Sequence, residues 1–355
     1  MSTKDTKEGG DMRKTVLAGL CLAVGLAAAV PAQAQTPINI SYQPSTYWAL
    51  TFHIATEKGW WKEAGLEPTF STFPTGAPQV AAAASKAWDV GGTGAPAVLG
   101  AQRIGLVTIG IMNNSSAVNA ILARDKDVAA IKKDPASLKG KQLLLTTNST
   151  GEYAARICLQ KWGLDLKDLQ VVNLNPAEIV SAFATGTGTL AATWAPNTYR
   201  LEDKAGAQVL CNGKDAGMTI PGLLVARRDY AEANPDKVAA FLAVYLRTLA
   251  WQKTHRAETI AMMKTFYART GLVLPDAFLG KEIDTQPTLS LSEQLAAFDR
   301  SKGPAKMDEW IGQFANYLKS TGSLQTIPEP TSYITDTYLK LVAADPKLKS
   351  FAEDK

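Results

Sequence analysis

Between residues 38 and 226 the sequence alternates short apolar runs of strand length with segments whose apolar residues recur at helical spacing. Segments 38–42, 68–73, 88–92 and 106–112 read as strands. Segments 46–58, 77–87 and 95–102 read as the helices between them. The run 106–112 is apolar throughout, as expected for the buried middle of a parallel sheet. Such alternation is the pattern of an open, largely parallel sheet flanked by helices, an α/β architecture.

Two polar stretches, Asn113-Asn114-Ser115-Ser116 and 212–217, interrupt this pattern, and between them it restarts. There 117–124, 143–146, 170–174, 190–193 and 208–210 read as strands, 176–184 as a helix, and the segment around Pro135 as a polar loop. A final strand, 220–226, follows the second polar stretch. The expected organisation is therefore one lobe from 35–115 and 218–355, a second lobe inserted at 116–217, and a hinge of two crossings. From Asn234 the chain turns helical: Val238, Phe241, Leu242, Tyr245 and Leu249 form one apolar face. Trp310, Ile311, Phe314, Tyr317 and Leu318 form another, with Gly322 as a stop. A cleft between two lobes is the default place for a ligand.

The stretch 142–162 indicates what kind of ligand. A short apolar strand runs into a hydroxyl-rich turn, Thr147 to Gly151, and then into a helix whose start is marked by Ser149 with Glu152 at capping-box spacing. Such a turn presents free N–H groups and the positive end of a helix dipole, which suits a carboxylate, sulfonate or phosphate. Thr-Gly-Ala-Pro at 75–78 and 93–96 and Thr-Trp-Ala-Pro at 193–196 read as further helix starts, since proline is favoured in the first helical turn. The expectation is that several helix N-termini converge on one anion.

The first 34 residues read as an export signal: Met12-Arg13-Lys14, an apolar run 15–30 too short to span a bilayer comfortably, and Ala32-Gln33-Ala34 as a cleavage site. Leu20 before Cys21 is too bulky for lipidation. Residues 1–34 hold four basic and three acidic residues, so the formal charge of +4 falls to +3 on cleavage after Ala34. A balance this near neutral implies neither nucleic acid nor an acidic membrane as partner. Cys158 and Cys211 remain, as a disulfide or as two buried thiols. His53 and His255 have no further ligand at metal spacing, so neither a metal nor a cofactor is assigned.

The segments ISYQPS at 40–45, WDVGGTGAP at 88–96, SLKGKQLLL at 137–145, GLDLKDLQVVNLNPAE at 163–178, WAP at 194–196, NPDKVAAF at 234–241 and SYITDTYL at 332–339 resemble, in order and spacing, a known family. It comprises the NMT1-like periplasmic substrate-binding proteins of ABC importers for sulfonates, taurine and nitrate. The resemblance implies a type II periplasmic-binding-protein fold, with two α/β lobes, a two-strand hinge and a helical C-terminal extension on the first lobe. It also implies a monomer that binds solute in the periplasm and passes it to an inner-membrane permease. Two positions depart from the family pattern: Thr189 stands where an acidic residue is usual before the second lobe's strand, and Lys86 where a glycine is usual before Asp89.

Candidate ligand contacts follow from these turns. Gln43, Ser45 and Thr46 lie at the first strand end. Tyr47 and Trp48 either wall the cleft or pack as helix core. Gly76, Thr93 and Gly94 open helices, while Asn114 and Ser115 contact ligand or cap the hinge turn. Asn148, Ser149, Thr150 and Gly151 are the main anion contacts. Glu152 either completes the cap, with Arg156 as its helix partner, or faces the cleft and favours an amine-bearing ligand. Tyr153 and Trp194, with Tyr47 and Trp48, indicate a solute with an organic body. Thiamine-pyrimidine synthases use the same fold as enzymes, but their cysteine-rich motif is absent here, as are a Gly-x-Ser-x-Gly elbow and paired carboxylates. A sulfonate or taurine-like anion is the expected solute, with an aromatic carboxylate, nitrate or another small solute as alternatives; a sensory protein whose closed form docks onto a receptor is the alternative to delivery to a permease.

Overall fold

The computed structural model describes residues 35–44 and 46–354. The expected export signal and the candidate Ser45 lie outside the described residues. In chain order the strands are β1 (Thr36–Tyr42), β2 (Leu66–Thr72), β3 (Val90–Thr93), β4 (Leu106–Asn114), β5 (Asn119–Arg124), β6 (Gln142–Leu145), β7 (Gln170–Asn173), β8 (Leu190–Trp194), β9 (Ala207–Asn212) and β10 (Pro221–Arg227). They form two sheets of five, ordered β2-β1-β3-β10-β4 and β7-β6-β8-β5-β9.

The two sheets share one plan. β1 lies parallel between β2 and β3, and β6 parallel between β7 and β8. β10 runs antiparallel between β3 and β4, and β5 antiparallel between β8 and β9. The two antiparallel strands are the ones entered through the crossings. Side by side, the crossings exchange hydrogen bonds: the N–H and Oγ of Ser115 each donate to the Ile220 carbonyl at 2.9 Å, and the Ile220 N–H donates to Ser116 Oγ at 2.8 Å. Two α/β lobes hinged by two strands therefore result.

An arginine ends the antiparallel strand in each sheet, and its partners explain the departure at Thr189. On β10, Arg227 Nη2 meets Asp89 Oδ1 at 3.1 Å, and Asp89 Oδ2 accepts from the N–H and Nδ2 of Asn39 at 2.9 Å each. On β5, Arg124 donates instead to the carbonyls of Phe183, Gly188 and Thr187 at 2.9, 3.2 and 3.3 Å. Backbone carbonyls thus replace the carboxylate, and Thr189 needs no charge. Lys86, in the other departure, adopts the left-handed φ of +57° that glycine accommodates more easily.

Several elements differ from the sequence reading. The apolar run 106–112, expected in the middle of a parallel sheet, is the edge strand β4, paired antiparallel with β10; it is buried all the same, and the C-terminal segment bridges its outer edge at Thr108 and Ile334. The segment read as a polar loop before Pro135 holds the helix Asp125–Lys133. Only Val128 and Ile131 are buried, so its apolar stripe is too thin to show, while Asp125, Asp127, Lys132 and Lys133 complement the dipole at its ends. The helix Asn197–Ala205 follows the start read at Thr-Trp-Ala-Pro, with a different placing of the proline. Pro196 sits at its cap rather than in its first turn, whereas Pro78 and Pro96 do lie in first turns. The Ala-rich helix stops at Ala82 and continues as 3-10 turn to Ser85. The helix Pro235–Thr254, expected to bury one face, also buries Ala239, Ala240, Ala243, Val244 and Leu246, because the C-terminal helices cover its other side. Cys158 and Cys211 form a disulfide, with Cα atoms 5.9 Å apart, that joins the helix Thr150–Lys161 to β9. Among the described residues no helix is long and apolar enough to cross a membrane.

Candidate ligand-binding site

The turn after β6 is built from its own hydroxyls. Ser149 caps the helix Thr150–Lys161: its Oγ accepts from the Glu152 N–H at 3.1 Å and donates to the Thr146 carbonyl at 2.6 Å. Glu152 Oε2 accepts from the N–H of Asn148 at 2.7 Å, one residue earlier than the expected capping box would place it. The Ser149 N–H is therefore not consumed by the cap. The N–H groups of Thr150 and Gly151, at the first two helical positions, have no intrahelical acceptor either. Three consecutive N–H groups at the positive end of a 12-residue helix are left for a ligand. Asn148 holds the turn in a left-handed conformation, φ +56°, which asparagine tolerates, and its Oδ1 accepts from Ser323 Oγ at 2.6 Å. Gly151 lets the helix lie close to β8, since a Cβ there would stand 3.0 Å from Thr193 Cα.

Across from this turn the first lobe contributes an amide network. Gln43 Nε2 donates to Gln79 Oε1 and Thr93 Oγ1 at 3.1 Å each, and Gln79 Nε2 donates to Ser41 Oγ and the Gly92 carbonyl at 2.9 Å each. Gly92 has no Cβ where one would meet Trp48 Cζ3 at 2.5 Å, so the indole packs directly on β3. Gly94 lies against Thr150 of the opposite lobe: a Cβ at 94 would be 3.5 Å from Thr150 Cγ2.

Between them is a cavity of about 60 Å³, room for roughly four to six waters. Of the residues read from sequence, Gln43, Thr46, Tyr47, Trp48, Gly76, Gly94, Ser115, Asn148, Ser149, Thr150 and Trp194 line it. The starts of four helical segments, at Thr46, Thr75, Gly94 and Ser149, meet there. Five others stand elsewhere. Thr93 turns its hydroxyl to Gln43, and Asn114 Oδ1 accepts from the N–H and Oγ of Ser116. Gly151 packs on β8. Glu152 faces Asn148 and Arg156, with 3.7 Å to Arg156 Nη2, and not the cleft. Tyr153 packs against Phe314 and Tyr317, with ring centroids 5.0 and 4.9 Å away, so it belongs to the core between lobes and not to the cavity wall.

The lining also includes Thr75 and Thr147, which belong to turns read from the sequence, and residues the sequence did not single out, among them Asn113, Asn119, Thr146, Gly222 and Gln286. Asn113 stood in the first polar stretch and could have been found there. Gln286 could not, because a solitary glutamine after a helix carries no pattern. No lysine, arginine, aspartate or glutamate lines the cavity among the described residues. Glu282 stands behind Gln286 and is fully buried, and burial pushes its carboxyl up to about 7 despite hydrogen bonds from Tyr267, Tyr199 and Gln286. No group of three or more His, Cys, Asp or Glu able to hold a metal occurs among the described residues.

Comparison with known proteins gives three kinds of likeness. The family model described as NMT1/THI5 like matches residues 49–259. A Brucella abortus (strain 2308) protein, named provisionally as a binding protein, is 26% identical over 330 residues, which cover 92% of this chain and 98% of its own. The taurine-binding periplasmic protein of Escherichia coli (strain K12) is 29% identical over 234 residues, 64% of this chain and 68% of its own. Among solved structures, the periplasmic aliphatic sulphonate binding protein of Escherichia coli superposes with a TM-score of 0.67 at 22% identity, covering 84% of this chain and 92% of that one, and has the same fold.

Proposed function

This chain belongs to the NMT1/THI5-like family, and we propose that it is an exported solute-binding protein that captures a small organic anion in the cavity between its lobes. The lobes are assigned as 35–115 with 218–355 and 116–217, closing about the two crossings. The solute is a short sulfonate or taurine-like acid, which the protein, acting as a monomer in the periplasm after cleavage behind Ala34, hands to an ABC permease.

The observation that carries this reading is the pair of free N–H groups at Ser149 and Thr150 in the lining of an uncharged cavity. An anion placed there gains hydrogen bonds and the helix dipole without displacing a counter-ion. A sulfonate has three oxygens for such donors and stays ionised at every physiological pH. Tyr47, Trp48 and Trp194 supply apolar surface for a carbon body, and a cavity of about 60 Å³ limits that body to a few atoms. The names of the E. coli relatives point to the same solute class. Binding is preferred to catalysis because the lining offers no base or nucleophile pair.

The test is a thermal-shift screen of residues 35–355 against taurine, ethanesulfonate, nitrate, benzoate and neutral amino acids. A ligand at a hundred times its Kd adds about 2.7 kcal/mol of stability, which moves the midpoint visibly. A shift with sulfonates supports the reading. Shifts confined to neutral or cationic solutes would refute it.

A further inference from the structure

Three amide side chains of the cavity, Asn113, Asn119 and Gln43, are held in one orientation and left with an oxygen outside their own networks. Asn113 Nδ2 donates to Gln286 Oε1 at 2.7 Å, and Gln286 Nε2 donates to Glu282 Oε2 at 2.5 Å. Glu282 Oε1 accepts from the Tyr267 hydroxyl at 2.9 Å. An ionised carboxyl can only accept, so Glu282 in that form fixes the Gln286 amide, which in turn fixes that of Asn113. Asn119 is fixed in the same way: its Nδ2 donates to the Ser115 carbonyl at 2.9 Å and to Ser115 Oγ at 3.1 Å. For Gln43 the anchor is the Gly92 carbonyl, acting through Gln79. Asn113 Oδ1 and Asn119 Oδ1 are buried acceptors without a partner in side chains 0% and 1% exposed, and Gln43 Oε1 is the atom its network does not use. Gly222 makes room for the first of them, since a Cβ there would lie 2.2 Å from Asn113 Oδ1. An unpartnered buried acceptor is costly, and a donor on the ligand removes that cost.

We propose that Gln286 and Glu282 are positioning residues that hold Asn113 as an acceptor, and that Asn113, Asn119 and Gln43 together select a solute carrying an N–H or O–H donor away from its acid group. The inference rests on the anion reading above and narrows it: the solute class is a short acid with a terminal amine or hydroxyl. Selection for an amine is thereby moved from Glu152, which is spent on its own turn, to neutral acceptors on the first lobe and the hinge.

Calorimetric titration with taurine, isethionate and ethanesulfonate tests this, because the three differ only in a terminal amine, hydroxyl or hydrogen. The unmodified protein is expected to bind taurine or isethionate at least about tenfold more tightly than ethanesulfonate, as a site built for a donor rejects its analogue. In Gln286→Met that ratio falls towards one; a purely structural loss would weaken all three alike and leave the ratio where it was. Equal binding of the three by the unmodified protein overturns the inference and leaves the anion reading standing. Binding of none of them overturns both. Because the comparison of ligands needs no variant, it decides the matter even if Gln286→Met does not fold.

Discussion

Glu282 is a fully buried carboxyl among tyrosines and a glutamine, and its proton affinity makes it visible in solution. Its folded pKa of about 7 lies above its ordinary value of 4.5, so the fold favours the protonated form. That stabilisation is complete below about pH 4.5 and is lost as pH rises through about 7. Glu282→Gln removes the titration. Its stability advantage over the unmodified protein is expected to be near zero at pH 4.5 and to grow to the order of 3 kcal/mol at pH 8. Denaturant unfolding at the two pH values measures it, and an advantage that does not change with pH would contradict the assignment. Asn113, Ser149 and Thr150 could be suspected from the sequence because each sits in a polar turn after an apolar run. Gln286 and Asn119 could not be. Their neighbours in the cavity come from distant parts of the chain, and only the two crossings bring them together.

At the scale of elements, glycines set how closely the pieces meet. A methyl at Gly92 would stand 2.6 Å from Met112 Sδ as well as 2.5 Å from Trp48, so Gly92→Ala forces the indole towards the cavity. The expected cost is about 1–3 kcal/mol of stability, together with a loss of ligand affinity. Unfolding and titration of the variant check both, and an unchanged affinity would show that Trp48 is not a working wall. The disulfide between Cys158 and Cys211 spans 53 residues of sequence. Replacing both cysteines with serine is expected to cost about 2–4 kcal/mol, read from the denaturation midpoint. All ten strands were legible, the central ones as buried apolar runs and the largely exposed edge strands β2 and β7 from their place in the alternation. The helix Asp125–Lys133 was not, since two buried residues make no readable stripe.

For the whole molecule, the legible feature was the repetition of one sheet plan across two polar crossings, and from it the two-lobe architecture followed. What the sequence left open is how the lobes meet. Beyond the hinge they touch on two sides of the cavity. On one side Tyr153 packs on Phe314 and Tyr317, while Asn148 bonds Ser323. On the other, Tyr199 meets Thr285 at 3.3 Å and stacks on Phe278, and Lys281 pairs with Glu202 at 2.9 Å. These contacts place the start of the helix Thr150–Lys161 opposite Gly94 and enclose the space for a solute. The most direct measurement is a crystal structure of residues 35–355 grown with taurine. The prediction is a sulfonate whose oxygens accept from the N–H groups of Ser149 and Thr150, with the amine on the side of Asn113 and Asn119. A ligand bound elsewhere, or an acid group that leaves those two N–H groups unused, would contradict the account.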